Sequence, residues 1–100
     1  MKWYDKQGNP IPMTTASKLL GDKHYSRVAL TNRNGFVVST VWLGLDHGFG
    51  HTPPLIFETM VFDPQGNELE CERYASEQEA HEGHMKMVKK LANIAKKHTK

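Results

Sequence analysis

The chain has 100 residues, enough for one domain and one modest core that takes about two-thirds of the unfolded surface out of water. With 38% hydrophobic and 24% charged residues it has neither a disordered nor a membrane composition, and no run approaches the roughly 20 apolar residues of a membrane span. A net charge of +2 is too weak to argue for nucleic acid, and the single cysteine, Cys71, excludes an internal disulfide.

A single domain over residues 1–100 is therefore expected. The opening "MKWYDKQGNP" lacks the apolar core of a signal peptide, so a cytoplasmic location is the expectation. "KWYDKQGNPIP" sets a turn between short apolar pieces and reads as a hairpin or ordered arm. "MTTASKLLGD" follows as a helix of about two turns, with Thr14 or Thr15 as N-cap and Gly21 as its stop. "YSRVALTN", "NGFVVSTVWLGL", "PPLIFETMVF" and "ELECERYA" are rich in β-branched and aromatic residues. They are separated by "NRNG", "DHGFGHTPP" and "DPQGN", which predicts a four-stranded antiparallel meander.

Ser76 and Glu79 then form an S-x-x-E capping box, and an amphipathic helix runs on toward Lys97. Its apolar positions, Ala80, Met87, Val88, Leu91, Ile94 and Ala95, make a stripe that must lie on the sheet. The expected class is α+β: a four-stranded antiparallel sheet, a long C-terminal helix on one face and a short N-terminal helix. Gly83 interrupts a good helix at a cost near 1 kcal/mol, which is explained if another element approaches closely there. Acidic residues open this helix and lysines close it, as its dipole favours, so nucleic acid is not the expected partner.

Two constellations hold chemistry. His84 lies within the apolar stripe and points at the sheet, while strand alternation leaves Glu58 alone among Ile56, Met60 and Phe62. Each needs a partner if buried; His84, Arg27, Arg73 and Tyr74 are available to Glu58, and a Glu58–His84 pair is expected, either as a core contact or, with Tyr74, in a ligand-facing cleft. The loop 46–54 carries Asp46, His47, Phe49 and His51, near Trp42. Its nine residues exceed an ordinary hairpin, and Phe49 between two glycines has little local core to join, which favours a recognition loop. Asp46, His47 and His51 offer metal-ligand atoms, but their spacing matches no zinc template, so neither metal nor cofactor is expected. No P-loop, GxGxxG, GxSxG, HExxH or CxxC is present, which leaves catalysis open and names no reaction. Cys71, on a strand, reads as a packing residue.

The strings "VSTVWLGLDHGFG", "PPLIFETMVF", "ERYASEQEA" and "GHMKMV", with the opening "WYDKQGNPI", resemble a family of small uncharacterised proteins encoded by bacteriophages and prophages. The resemblance covers most of the chain and departs at "TTAS", where the family has acidic and aromatic residues. It implies a phage-encoded accessory role in the cytoplasm of the host cell, and it brings no catalytic residues. The expected function is a binding or inhibitory module acting on a phage or host protein, for instance one of host defence. Its contacts would come from Trp42, Asp46, His47, Phe49, His51, Glu58, Tyr74 and His84. The alternative is a small enzyme or ligand-binding domain with Asp46, His47, Glu58, Tyr74 and His84 in one cleft. Nothing in the sequence fixes the oligomeric state.

Overall fold

Turn chemistry folds each β-branched run back on the one before it. In the computed structural model, which describes residues 2–46, 50 and 52–98, β1 (Trp3–Tyr4) and β2 (Pro10–Ile11) form a small hairpin. The main sheet consists of β3 (Arg27–Arg33), β4 (Phe36–Trp42), β5 (Phe57–Phe62) and β6 (Glu68–Tyr74). Its strands pair antiparallel in chain order, as a meander. Asn34 and Gly35, at φ 54 and 85, join β3 to β4, the Asn-Gly turn whose twist matches that of flanking strands. Two other turns share the sequence D-x-Q-G-N. Asp5 Oδ1 accepts from Gln7 and Asn9 N–H groups, and Asp63 Oδ1 accepts in the same way from Gln65 and Asn67.

Helix α1 (Met13–Leu20) begins after Pro12, which occupies the N-cap without a side-chain bond. Neither Thr14 nor Thr15 caps it: proline's fixed φ already sets the entry, so the helix starts before either threonine. Gly21 ends it in a right-handed conformation, φ −75. A short helix absent from the sequence reading, α2 (Lys23–Ser26), takes Tyr25 and Ser26 from the expected strand. Asp22 nucleates it by accepting from the His24 N–H.

Ser76 caps α3 (Glu77–Lys89) as expected, accepting from Glu79 N–H at 3.1 Å. The helix does not run unbroken to Lys97: it is interrupted at Lys90, at φ −88 and ψ 0, and α4 (Leu91–Lys97) completes it. The apolar stripe continues across the interruption, because Met87, Leu91 and Ile94 form one cluster with Val38 and Val61 of the sheet. A second cluster, Trp42, Ile56, Phe57, Tyr74 and Ala80, gathers Tyr4, Ile11, Leu19, Tyr25 and Val28 from the N-terminal elements. Helix α3 and the N-terminal third thus lie on the same side of the sheet, as one layer. Among the described residues no helix is long and apolar enough to cross a membrane.

Candidate functional site

The end of the sheet where β4 leaves Trp42 is built by contacts distant in sequence. Tyr4 N–H donates to Gly44 O at 2.8 Å, Trp3 bridges Leu45, and Trp42 Nε1–H donates to Tyr4 O at 3.0 Å. Gly44, at φ +78, lies between the Trp42 and Trp3 rings, where a Cβ would come within 2.9 Å of Trp42, closer than two carbons can pack. Tyr25 meets Trp42 edge-on at 5.0 Å, and its hydroxyl accepts from the Lys6 N–H. The loop after Leu45 therefore leaves from a braced aromatic platform. Its far end is tied as well, since Asp46 Oδ1 accepts from the Leu55 N–H at 2.9 Å.

Beside this platform lies an open cleft of about 310 Å³ lined by Lys2, Tyr4, Leu45 and Asp46. A larger groove of about 530 Å³, lined by Trp3, Pro10, Ile11, Pro12 and Met13, adjoins it through Lys2. Met13 is exposed. Tyr4, Trp3, Leu45 and Met13 beside a long loop suit the apolar centre of a polypeptide contact, with Lys2 and Asp46 at its polar rim.

Of the residues singled out in the sequence, Asp46 lines this cleft, while His47, Phe49 and His51 lie outside the described residues. Trp42 is not a contact residue. At 1% exposure it is core, and its indole N–H is spent on holding the hairpin. Tyr74 and His84 are buried too. Glu58 and His84 do not pair, because they sit on opposite faces of the sheet. The row facing α3 is Phe57–Thr59–Val61, each 0% exposed, so Glu58, Met60 and Phe62 point the other way. There Glu58 Oε2 accepts from Arg73 Nε at 3.0 Å and from the Cys71 thiol at 3.5 Å. Arg73 stands directly across from it on β6. Cys71 is exposed on that face, contrary to its reading as a packing residue. The cleft expected to join Asp46, His47, Glu58, Tyr74 and His84 is thus not assembled by the described residues.

His84 is satisfied by threonines. Its Nδ1 lies 2.8 Å from Thr40 Oγ1 and its Nε2 2.9 Å from Thr31 Oγ1. Thr40 and Thr59, opposite each other in the β4–β5 register, share a further hydroxyl–hydroxyl bond. With Tyr74 on β6, each strand of the sheet contributes one polar side chain to a row under α3. Burial, then the charge of His81, pushes the His84 imidazole below its ordinary value. Burial pushes the Tyr74 phenol up, opposed by the nearby Thr59 hydroxyl. Among the described residues Tyr74 Oη is the buried side-chain polar atom that makes no hydrogen bond of good geometry. Above it is Gly83, where a Cβ would overlap the phenol ring and hydroxyl. A row so closed to solvent specifies register; it cannot meet a dissolved substrate.

The threonine partners escaped the sequence reading, although alternation already set Thr40 between Val38 and Trp42. Lys2, Tyr4 and Leu45 carried no signal, because the docking that makes them a cleft is tertiary. Among the described residues no three His, Cys, Asp or Glu side chains converge as a metal site. No known family model, curated protein or solved structure matches the chain.

Proposed function

We propose that the protein is a binding module whose contact surface is the braced loop end: the loop 46–54 together with the cleft of Lys2, Tyr4, Leu45 and Asp46. The observation that supports this is the bracing itself. Gly44 is clamped between two tryptophans, and Asp46 ties the two ends of the loop together. Ordering a long connection costs conformational entropy, and a preorganised loop base lowers what a partner must supply on binding.

The resemblance to phage-encoded proteins makes the partner a phage or bacterial host protein and the site of action the host cytoplasm. Capture from a bacterial lysate tests this, with the wild-type chain and the Phe49→Ala and Tyr4→Ala variants as baits. The expected result is a protein retained by the wild type and lost from both variants while their unfolding transitions stay cooperative. Retention by both variants would remove this surface as the contact.

A further inference from the structure

Of the sheet's two faces, helices and hairpin among the described residues cover one; on the other, Glu58 is only 9% exposed beside Arg73 and Cys71. Helices and hairpin reach the core from the α3 side. The register places Arg27, Val41, Glu58 and Arg73 in one row across the other face, and Ser39, Met60 and Cys71, flanked by Leu30, in the next. Asn32, Val37, Phe62 and Glu68 make the third. Leu30 is 51% exposed, and Val37, Val41, Met60 and Phe62 are half-buried and belong to neither core cluster. With four strands of about seven residues, the face measures about 19 by 24 Å. At about 450 Å² per copy, that is the footprint of a weak, transient interface.

About the middle row its two ends match on β4 and differ on the neighbouring strands, where Glu58 corresponds to Phe62 on β5 and Arg27 to Asn32 on β3. Valine on β4 stands at both ends, Val41 and Val37, with Met60 between them on β5. The charges on β6 are opposite in sign, Arg73 at one end and Glu68 at the other. A two-fold axis running across the strands through the middle row exchanges the two ends. It sets Val41 over the partner's Val37, Met60 over the partner's Met60, Arg27 over the partner's Asn32, Arg73 over the partner's Glu68, and Glu58, already paired with Arg73 in its own chain, over the partner's Phe62. The other in-plane two-fold, along the strands, would set Arg27 against the partner's Arg73, a like-charge contact.

We propose that this face docks a second copy of the chain, sheet on sheet, about the two-fold axis that crosses the strands at Ser39, Met60 and Cys71. Aligned sheets pack about 10 Å apart with interdigitating side chains, and an isologous contact closes at two copies. The inference concerns the sheet face and does not rest on the function proposed above.

Sedimentation of the whole chain from about 1 μM to 1 mM, the range of weak to moderate association, tests it. Twice the chain mass is expected for the wild type and for Glu72→Arg, on the covered side of β6. Met60→Lys should sediment at the chain mass, and Glu68→Arg should weaken the dimer at least about tenfold, because it sets like charges face to face. A short-armed bismaleimide should join two Cys71 thiols in the wild type and fail to do so in Met60→Lys. Should Met60→Lys fail to fold, Glu68→Arg on the exposed edge decides alone. A monomeric wild type, or an open-ended series of species, overturns the proposal; the first leaves the face to a partner of another sequence. So does a dimer that Glu68→Arg leaves unchanged.

Discussion

His84 Nδ1 lies 2.8 Å from Thr40 Oγ1, and this contact across the helix–sheet interface fixes where α3 sits on the sheet. Both ring nitrogens end on threonine hydroxyls, which donate or accept as the imidazole requires. Removing the ring leaves a cavity and takes the Thr31 hydroxyl's side-chain partner, while Thr40 keeps its bond to Thr59. His84→Ala should therefore cost about 2–4 kcal/mol in denaturant unfolding. A double-mutant cycle between His84→Ala and Thr40→Val should show a coupling of about 1 kcal/mol, whereas one between His84→Ala and Glu58→Gln should stay within ~0.5 kcal/mol. Strong coupling in the second cycle would contradict the placement of Glu58 on the far face.

The same burial gives His84 a pH signature. Its folded value is pushed below the ordinary 6.5, so the unfolded chain takes up a proton that the folded chain refuses. Stability must then fall as pH falls from 6.5 through the lowered value, while above 6.5 the ring is neutral in both states and adds no slope. Asp63 contributes with the same sign but in a lower window, below its ordinary 3.8, because the Asn67 side chain favours its carboxylate. The stability difference between wild type and His84→Gln, followed by urea unfolding, should shrink as pH drops below 6.5. A constant difference would mean that His84 titrates freely in the folded state.

The architecture was legible in the sequence because local signals agree with the fold. Asn34–Gly35, the two D-x-Q-G-N turns and the Ser76–Glu79 capping box each act over a few residues, and each is found where the pattern put it. The site was less legible. The segment 57–62 offers two rows, each apolar with one polar interruption, Glu58 in one and Thr59 in the other. Alternation separates the rows, but it does not say which one faces the helix. Register does, by setting Arg73 across from Glu58 and Thr40 across from Thr59. Trp42 was misplaced for the same reason: its acceptor, Tyr4 O, lies 38 residues away, on a hairpin whose docking no local pattern encodes.

Gly83 is a case where pattern and packing agree. An exposed helix interior would gain about 1 kcal/mol from Gly→Ala. Here the added Cβ would collide with the Tyr74 ring, which a strand holds from below and the core surrounds. The overpacking cost of about 1–3 kcal/mol should exceed the helix gain, so Gly83→Ala is expected to destabilise the fold. Combining it with Tyr74→Leu should recover part of the loss, as a smaller side chain vacates the contact. An Ala variant more stable than the wild type would show that α3 stands farther from β6.

Cys71 reports on the uncovered face from its own chemistry. Its thiol is pushed above the ordinary 9.0 first by burial and then by the negative charge of Glu58, with Arg73 opposing. Only the thiolate is nucleophilic, so neutralising Glu58 must raise the reactive fraction at neutral pH. In protein dilute enough to be monomeric, Glu58→Gln should speed alkylation of Cys71 by iodoacetamide about two- to tenfold, since each unit of lowered pKa multiplies the thiolate tenfold. Both proteins should react equally fast in urea, where the two side chains are no longer held together. An unchanged rate in the folded state would mean that the Glu58 carboxylate is fully neutralised by Arg73 and does not act on the thiol. A slower one would mean that the substitution closes the access to Cys71 that its exposed position provides.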